Sequence, residues 1–135
     1  IHQSFVEVGF DEDSPNVRWE VSVKEESQDI YAIVFDATIK EGYHGYPMSD
    51  FSSPIFDIEG AELLGDVVEP LTPVENGIDD ITGEPAHIYC DRAVYIQRVR
   101  AKAGSLLNCY VNATICTNET YQCTTNIVEF LLQMP

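Results

Sequence analysis

The chain has 135 residues, with 23 Asp and Glu against 7 Lys and Arg, a formal net charge of −16, and 44% hydrophobic residues including 7 Tyr, 6 Phe and 1 Trp. That length and apolar content suffice for one domain with its own core and are not those of a disordered acidic tail. So acidic a balance excludes nucleic acid as a partner, because phosphate neutralisation takes clustered Lys and Arg, and it opposes direct contact with an anionic membrane surface.

The sequence opens at "IHQSFVEVGF", without Met or a recognisable signal peptide, and no apolar run reaches the roughly 18–20 residues that span a bilayer. We expect a mature or trimmed form of an exported protein, its leader and any membrane region lying outside this chain. "DEDSPN" (residues 11–16) lacks the Gly and closing Glu of a calcium-binding EF-hand loop and reads as a solvated turn.

In "VRWEVSVK", Val17, Trp19, Val21 and Val23 alternate with Arg18, Glu20, Ser22 and Lys24, the pattern of a half-buried strand. "IYAIVFDATI" repeats it, with Tyr31, Ile33, Phe35, Ala37 and Ile39 on one face, and "KEGYHGYP" breaks it with Gly42, Gly45 and Pro47. "SPIFDIEG" and "AELLGDVVEP" read as short strands, and the acidic, Pro- and Gly-punctuated "EPLTPVENGIDDITGEPA" as a loop. "AVYIQRVRA" and "SLLNCYVNATI" are expected to pair as a hairpin across "KAGS", and "TNIVEFLL" closes the domain with Val128, Phe130 and Leu132 inward. About seven or eight short strands, with turn signals about every 8–12 residues and no amphipathic helix, predict an all-β, antiparallel sandwich of the immunoglobulin-like kind. A lipocalin-like or OB-type barrel is the alternative.

Four cysteines (Cys90, Cys109, Cys116, Cys123) suit an oxidising compartment, and sequence alone leaves their pairing open. In "LNCYVNATIC", Cys109 shares a face with Val111, Ala113 and Ile115, as a small buried hydrophobe would, whereas Cys116 points the other way at a loop mouth. Six residues separate Cys116 from Cys123, a spacing that antiparallel strand ends can close within a disulfide's Cα window of roughly 4.4–6.8 Å. So short a loop makes a weak staple, on the order of 2–3 kcal/mol in the chain-entropy account. A zinc clip lacks its knuckles, since His2, His44 and His87 show no ligand spacing. No Ser-His-Asp order and no usefully spaced carboxylate pair suggests a hydrolase.

Three stretches taken in order, "VRWEVSV…YAIVFDATIKEGYHGY", "GIDDITGEPAHIYCDRAVYIQRV" and "VNATICTNETYQCTTNIVEFLL", resemble the periplasmic amino-terminal domain of the transmembrane thiol–disulfide interchange proteins, the DsbD family. The resemblance implies one immunoglobulin-like interchange domain over residues 1–135, located in the periplasm. It implies that Cys116 and Cys123 are the redox pair, with Cys123 forming the mixed disulfide and Cys116 resolving it. Asp79, Asp80 and Ile81 fall where the family carries a cap loop, Ile81 standing in place of its aromatic residue, and Tyr43 and Tyr46 fall where family tyrosines line the site.

The activity implied is that of a protein-disulfide reductase component. It would transfer electrons without a cofactor from a membrane or thioredoxin-like donor to periplasmic acceptors, as in cytochrome c biogenesis. Thioredoxin-fold redox proteins are the expected partners, and the net charge favours a monomer. With no Lys or Arg near either cysteine in sequence and many carboxylates about, an ordinary or raised thiol pKa is expected, with Asp79 or Asp80 as a candidate proton shuttle. The competing reading is an exported β-sandwich binding or adhesion module whose disulfide is only structural. Tyr43, His44 and Tyr46 would then merely pack a sandwich end.

Overall fold

Val17, Trp19, Val21 and Val23 are each at most 2% exposed, while Arg18, Glu20 and Lys24 stand in solvent. The period-two pattern of this segment is therefore a strand with one face on a core. The computed structural model describes residues 5–78, 82–120 and 122–135. Its strands are β1 (Phe5–Gly9), β2 (Val17–Ser27), β3 (Ile30–Ile39), β4 (Tyr43–His44), β5 (Ile55–Glu59), β6 (Glu62–Val68), β7 (Val74–Ile78), β8 (Pro85–Ile88), β9 (Arg92–Arg100), β10 (Leu106–Thr117) and β11 (Cys123–Gln133). All pairings are antiparallel. One sheet has the order β1-β2-β3-β9-β6, and the facing sheet has β11-β10-β4 with β5 also on β10. The expected immunoglobulin-like sandwich is thus the observed fold.

Between the sheets Trp19, Phe35, Phe56, Tyr89 and Tyr95 form an aromatic cluster, with Phe35 and Phe56 centroids 4.5 Å apart and Phe56 and Tyr95 5.1 Å apart. The large Trp19 ring fits because its strand partners are Gly9 on one side and Ala37 on the other. Gly9 is needed for a second reason. A Cβ there would lie 3.0 Å from Phe130 and 3.1 Å from Val128, side chains of the facing sheet.

Two expectations differ from the structure. β9 and β10 do not form a hairpin. Both edges of β9 are already occupied, by β3 and by β6, so the chain crosses to the other sheet. Gly104 at φ +76° turns the connection, and backbone bonds from Gly104 to Met134 and from Met134 to Ser105 lock it against the end of β11. The acidic segment read as a loop also contains β7 and the start of β8, paired with each other. No alternation marks β7 because it is largely exposed on both faces.

The three arginines of β9 pair across the strands: Arg92 with Asp36 at 2.7 Å, Arg98 with Glu26 at 2.6 Å and Arg100 with Glu62 at 2.8 Å. The acidic turn at residues 11–16 folds over the edge of β11, where Asp11 Oδ2 accepts from the Ile127 amide at 3.0 Å.

Candidate functional site: a half-buried disulfide

β10 runs the full length of its sheet. One edge is taken by β11 from Leu106 to Cys116. The other edge is divided, with β5 against residues 108–112 and β4 against Cys116 and Thr117. Cys116 therefore has Cys123 directly opposite on one side and His44 on the other. The Thr117 amide donates to Gln122 O at 2.9 Å just beyond the cysteines. The cysteine pair is then the close, non-hydrogen-bonded kind. They form a disulfide with Cα atoms 4.0 Å apart, tighter than the spacing argument expected.

Strand phase holds as expected. Ile115 and Cys109 point to the core, so Cys116 points away from it. Its access does not follow. Cys116 is 0% exposed, whereas Cys123 is exposed. The outward face at Cys116 is covered by the segment after β4. Tyr46 Oη lies 3.2 Å from Cys116 Sγ and 3.0 Å from His44 Nε2, and His44 Nδ1 lies 2.7 Å from Asn118 Oδ1. His44 is completely buried. An unbroken polar chain thus runs Asn118–His44–Tyr46–Cys116.

That segment is held rigidly. Gly45 exchanges both backbone bonds with Tyr89 at 2.9 Å. The Tyr46 carbonyl accepts from the Tyr95 hydroxyl at 2.6 Å, and Glu69 Oε1 accepts from the Met48 amide at 3.0 Å. Burial, with Glu69 adding to it, holds the hydroxyls of Tyr89 and Tyr95 well above the ordinary tyrosine range. Both therefore remain protonated donors. The aromatic core and the disulfide cover are consequently one connected unit.

Of the residues expected at the site, Cys116, Cys123 and Tyr46 come together. Tyr43 pairs with Thr117 and lines a cleft of about 290 Å³ with Lys40, Gln122 and Thr124, the residues on either side of Cys123 among them. Lys40, more than seventy positions away in sequence, is the one cation of that cleft among the described residues. Asp79, Asp80 and Ile81 lie outside the described residues. Cys90 and Cys109 are free thiols. Burial pushes Cys109 up to about 12, as befits a core residue. Partial burial and Asp91 raise Cys90. Among the described residues no group of three or more His, Cys, Asp and Glu could hold a metal ion, and no helix is long and apolar enough to cross a membrane.

No protein-family profile and no curated protein matches the sequence. Solved structures do. The N-terminal periplasmic domain of ScsB from Proteus mirabilis superposes with a TM-score of 0.65 at 14% identity, over 91% of this chain. The DsbD N-terminal domain from Neisseria meningitidis in its reduced form superposes with a TM-score of 0.55 at 17% identity, over 86% of this chain and 83% of its own. The chain has the DsbD N-terminal domain fold. It spans about half of the ScsB structure, 47% of that chain. On this DsbD-like framework Asn118 and Lys40 are the site residues that sequence reasoning missed, and His44, named there only with Tyr43 and Tyr46 as a loop aromatic, is the one whose contact with the disulfide cover it did not foresee. The signal for His44 was its place between Tyr43 and Tyr46, in the segment that reached the disulfide.

Proposed function

We propose that this chain is a periplasmic domain that exchanges its Cys116–Cys123 disulfide with thioredoxin-fold proteins. Cys123 is the sulfur that meets the partner, and Cys116 is the sulfur that resolves. The observation that carries the reading is the asymmetry of the pair. Exchange proceeds through in-line approach to one accessible sulfur, and of the two only Cys123 is exposed. A partner thiolate attacks Cys123 Sγ, the Cys116–Cys123 bond breaks, and the electron pair leaves on Cys116. In the reverse direction the Cys116 thiolate attacks Cys123, re-forms the internal bond and expels the partner thiolate. The fold shared with periplasmic N-terminal domains supports this reading. So does the placement of the bridge on the outer face of one sheet, not across the core as in a structural immunoglobulin staple. We assign residues 1–135 to one interchange domain, with Asp79, Asp80 and Ile81 as its cap and Tyr43 lining the cleft beside Cys123.

The test is a redox titration against glutathione and dithiothreitol buffers, with alkylation and peptide mapping of each cysteine. The expected midpoint for Cys116–Cys123 lies above about −300 mV, outside the range of structural bridges. A pair that stays oxidised well below that value would assign the domain to binding, with the disulfide as its staple.

A further inference from the structure

Tyr46 has one hydroxyl proton and two neighbours placed to receive it, Cys116 Sγ at 3.2 Å and His44 Nε2 at 3.0 Å. Asn118 Oδ1 can only accept, so His44 Nδ1, 2.7 Å away, must donate to it. In neutral His44 the proton is thereby fixed on Nδ1 and Nε2 is left as a base directed at Tyr46. In the imidazolium both ring nitrogens donate, one to Asn118 and the other to Tyr46, and the Tyr46 proton is committed to Cys116. Each protonation state satisfies the whole chain. Cys116 itself is closed to solvent, so its proton cannot leave directly to water.

We propose that Tyr46 and His44 form a proton path to Cys116, with Tyr46 the catalytic residue in contact with the sulfur and His44 the positioning residue that holds the proton behind it. The inference rests on the exchange reading above and names how its resolving thiol is ionised. When the mixed disulfide on Cys123 is resolved, the Cys116 S–H proton passes to Tyr46 Oη as the Tyr46 proton passes to His44 Nε2. The Cys116 thiolate, now accepting a hydrogen bond from Tyr46, attacks Cys123 Sγ. The Cys116–Cys123 bond forms, the bond from Cys123 to the partner breaks, and the electron pair leaves on the partner sulfur. His44, itself closed to solvent, keeps that proton while the bond is closed, its two ring nitrogens donating to Asn118 and Tyr46. In the opposite direction the same path delivers a proton to Cys116 as the disulfide opens.

The geometry that makes this possible comes from the fold. His44 is the β4 partner of Cys116, and Asn118 sits in the turn between the two cysteines, its amide bonded to Gly42 O at 2.9 Å. The nearest charged side chains in sequence, Lys40, Glu41 and Glu119, are all exposed. On the far side Tyr89 and Tyr95 anchor Gly45 and Tyr46, and both stay protonated.

The test is stopped-flow oxidation of the reduced domain by dithiodipyridine, in a Cys90→Ser background that removes the exposed free thiol. The first release of thiopyridone reports attack by Cys123, and the second reports resolution by Cys116. The expected result is that Tyr46→Phe and His44→Gln leave the first phase unchanged. They slow the second by about ten-fold or more at neutral pH, the range of general acid–base effects. The gap between both variants and the parent should narrow as pH rises, because hydroxide reaching the sulfur when the cover opens then removes the proton without the path. A second phase unchanged in Tyr46→Phe, the milder substitution, would overturn the proton path and leave the exchange reading standing. So would a second phase slowed equally at every pH, the mark of displaced packing. Absence of a second phase in the parent domain would instead remove the exchange reading itself, and the inference with it.

Discussion

Cys116 and His44 are direct backbone partners across β10 and β4, just as Cys116 and Cys123 are across β10 and β11. Three side chains are therefore aligned on one sheet face by register alone. The consequence is a divided disulfide, with one sulfur closed under His44 and Tyr46 and the other open beside the Tyr43 cleft. Exposure, not loop flexibility, is what distinguishes the two sulfurs.

After mild reduction, alkylation should follow the order of access. Cys123 is expected to react first and Cys116 markedly later. Cys109, held as a thiol by burial with its pKa pushed up to about 12, should stay unmodified until the domain unfolds. Time-resolved peptide mapping reads this directly, and early labelling of Cys109 would contradict the core placement.

Reducing the disulfide should lower stability only modestly, by about 2–3 kcal/mol, because the loop it closes is short, with a sequence separation of 7. The long β10–β11 register holds the hairpin without it. Urea denaturation of the Cys116→Ala/Cys123→Ala double variant measures the loss. Failure of that variant to fold would mark the bridge as a structural staple.

Tyr95→Phe removes the donor to the Tyr46 carbonyl, a 2.6 Å bond that ties the disulfide cover to the aromatic core. The expected cost is about 0.5–1.5 kcal/mol, accompanied by faster alkylation of Cys116 in the reduced protein. An unchanged alkylation rate would show that the cover is held by other contacts.

The buried Cys109 thiol also gives a sign to alkaline stability. Its pKa is raised from the ordinary 9.0 to about 12 in the fold, so the unfolded chain loses this proton first. The stabilisation is complete below about pH 9 and declines as pH rises toward about 12, the folded value. Urea midpoints of the parent should therefore fall more steeply above pH 9 than those of Cys109→Ala. Parallel curves would contradict the raised value.

The inward faces of β2, β3, β10 and β11 were legible because alternation needs only one face on a core, and Trp19, Phe35, Val111 and Phe130 all lie where that pattern puts them. The expected β9–β10 hairpin was not observed, because adjacency in sequence says nothing of edges already taken by β3 and β6. At the site, strand phase turned Cys116 away from Cys109 correctly. What covers that outer face comes from residues seventy positions earlier, through a two-residue strand too short to leave a periodic signal. For the same reason His44 and Asn118 were invisible as partners. Gly9 is a parallel case, a small residue whose need is set by Phe130 and Val128 on the opposite sheet. Gly9→Ala should cost about 1–3 kcal/mol by overpacking, measurable by the same urea titration.

Of the two sulfurs, Cys123 is the one expected to meet the partner. Cys116→Ala and Cys123→Ala variants, each in the Cys90→Ser background, would be mixed with a thioredoxin-fold protein that keeps a single active-site cysteine activated by thiopyridine. Adduct formation would be followed by non-reducing electrophoresis and mass. A mixed disulfide is expected with Cys116→Ala and, over the same interval, essentially none with Cys123→Ala, whose remaining sulfur is the buried one. Equal adducts from both variants, or an adduct through Cys116 alone, would contradict it.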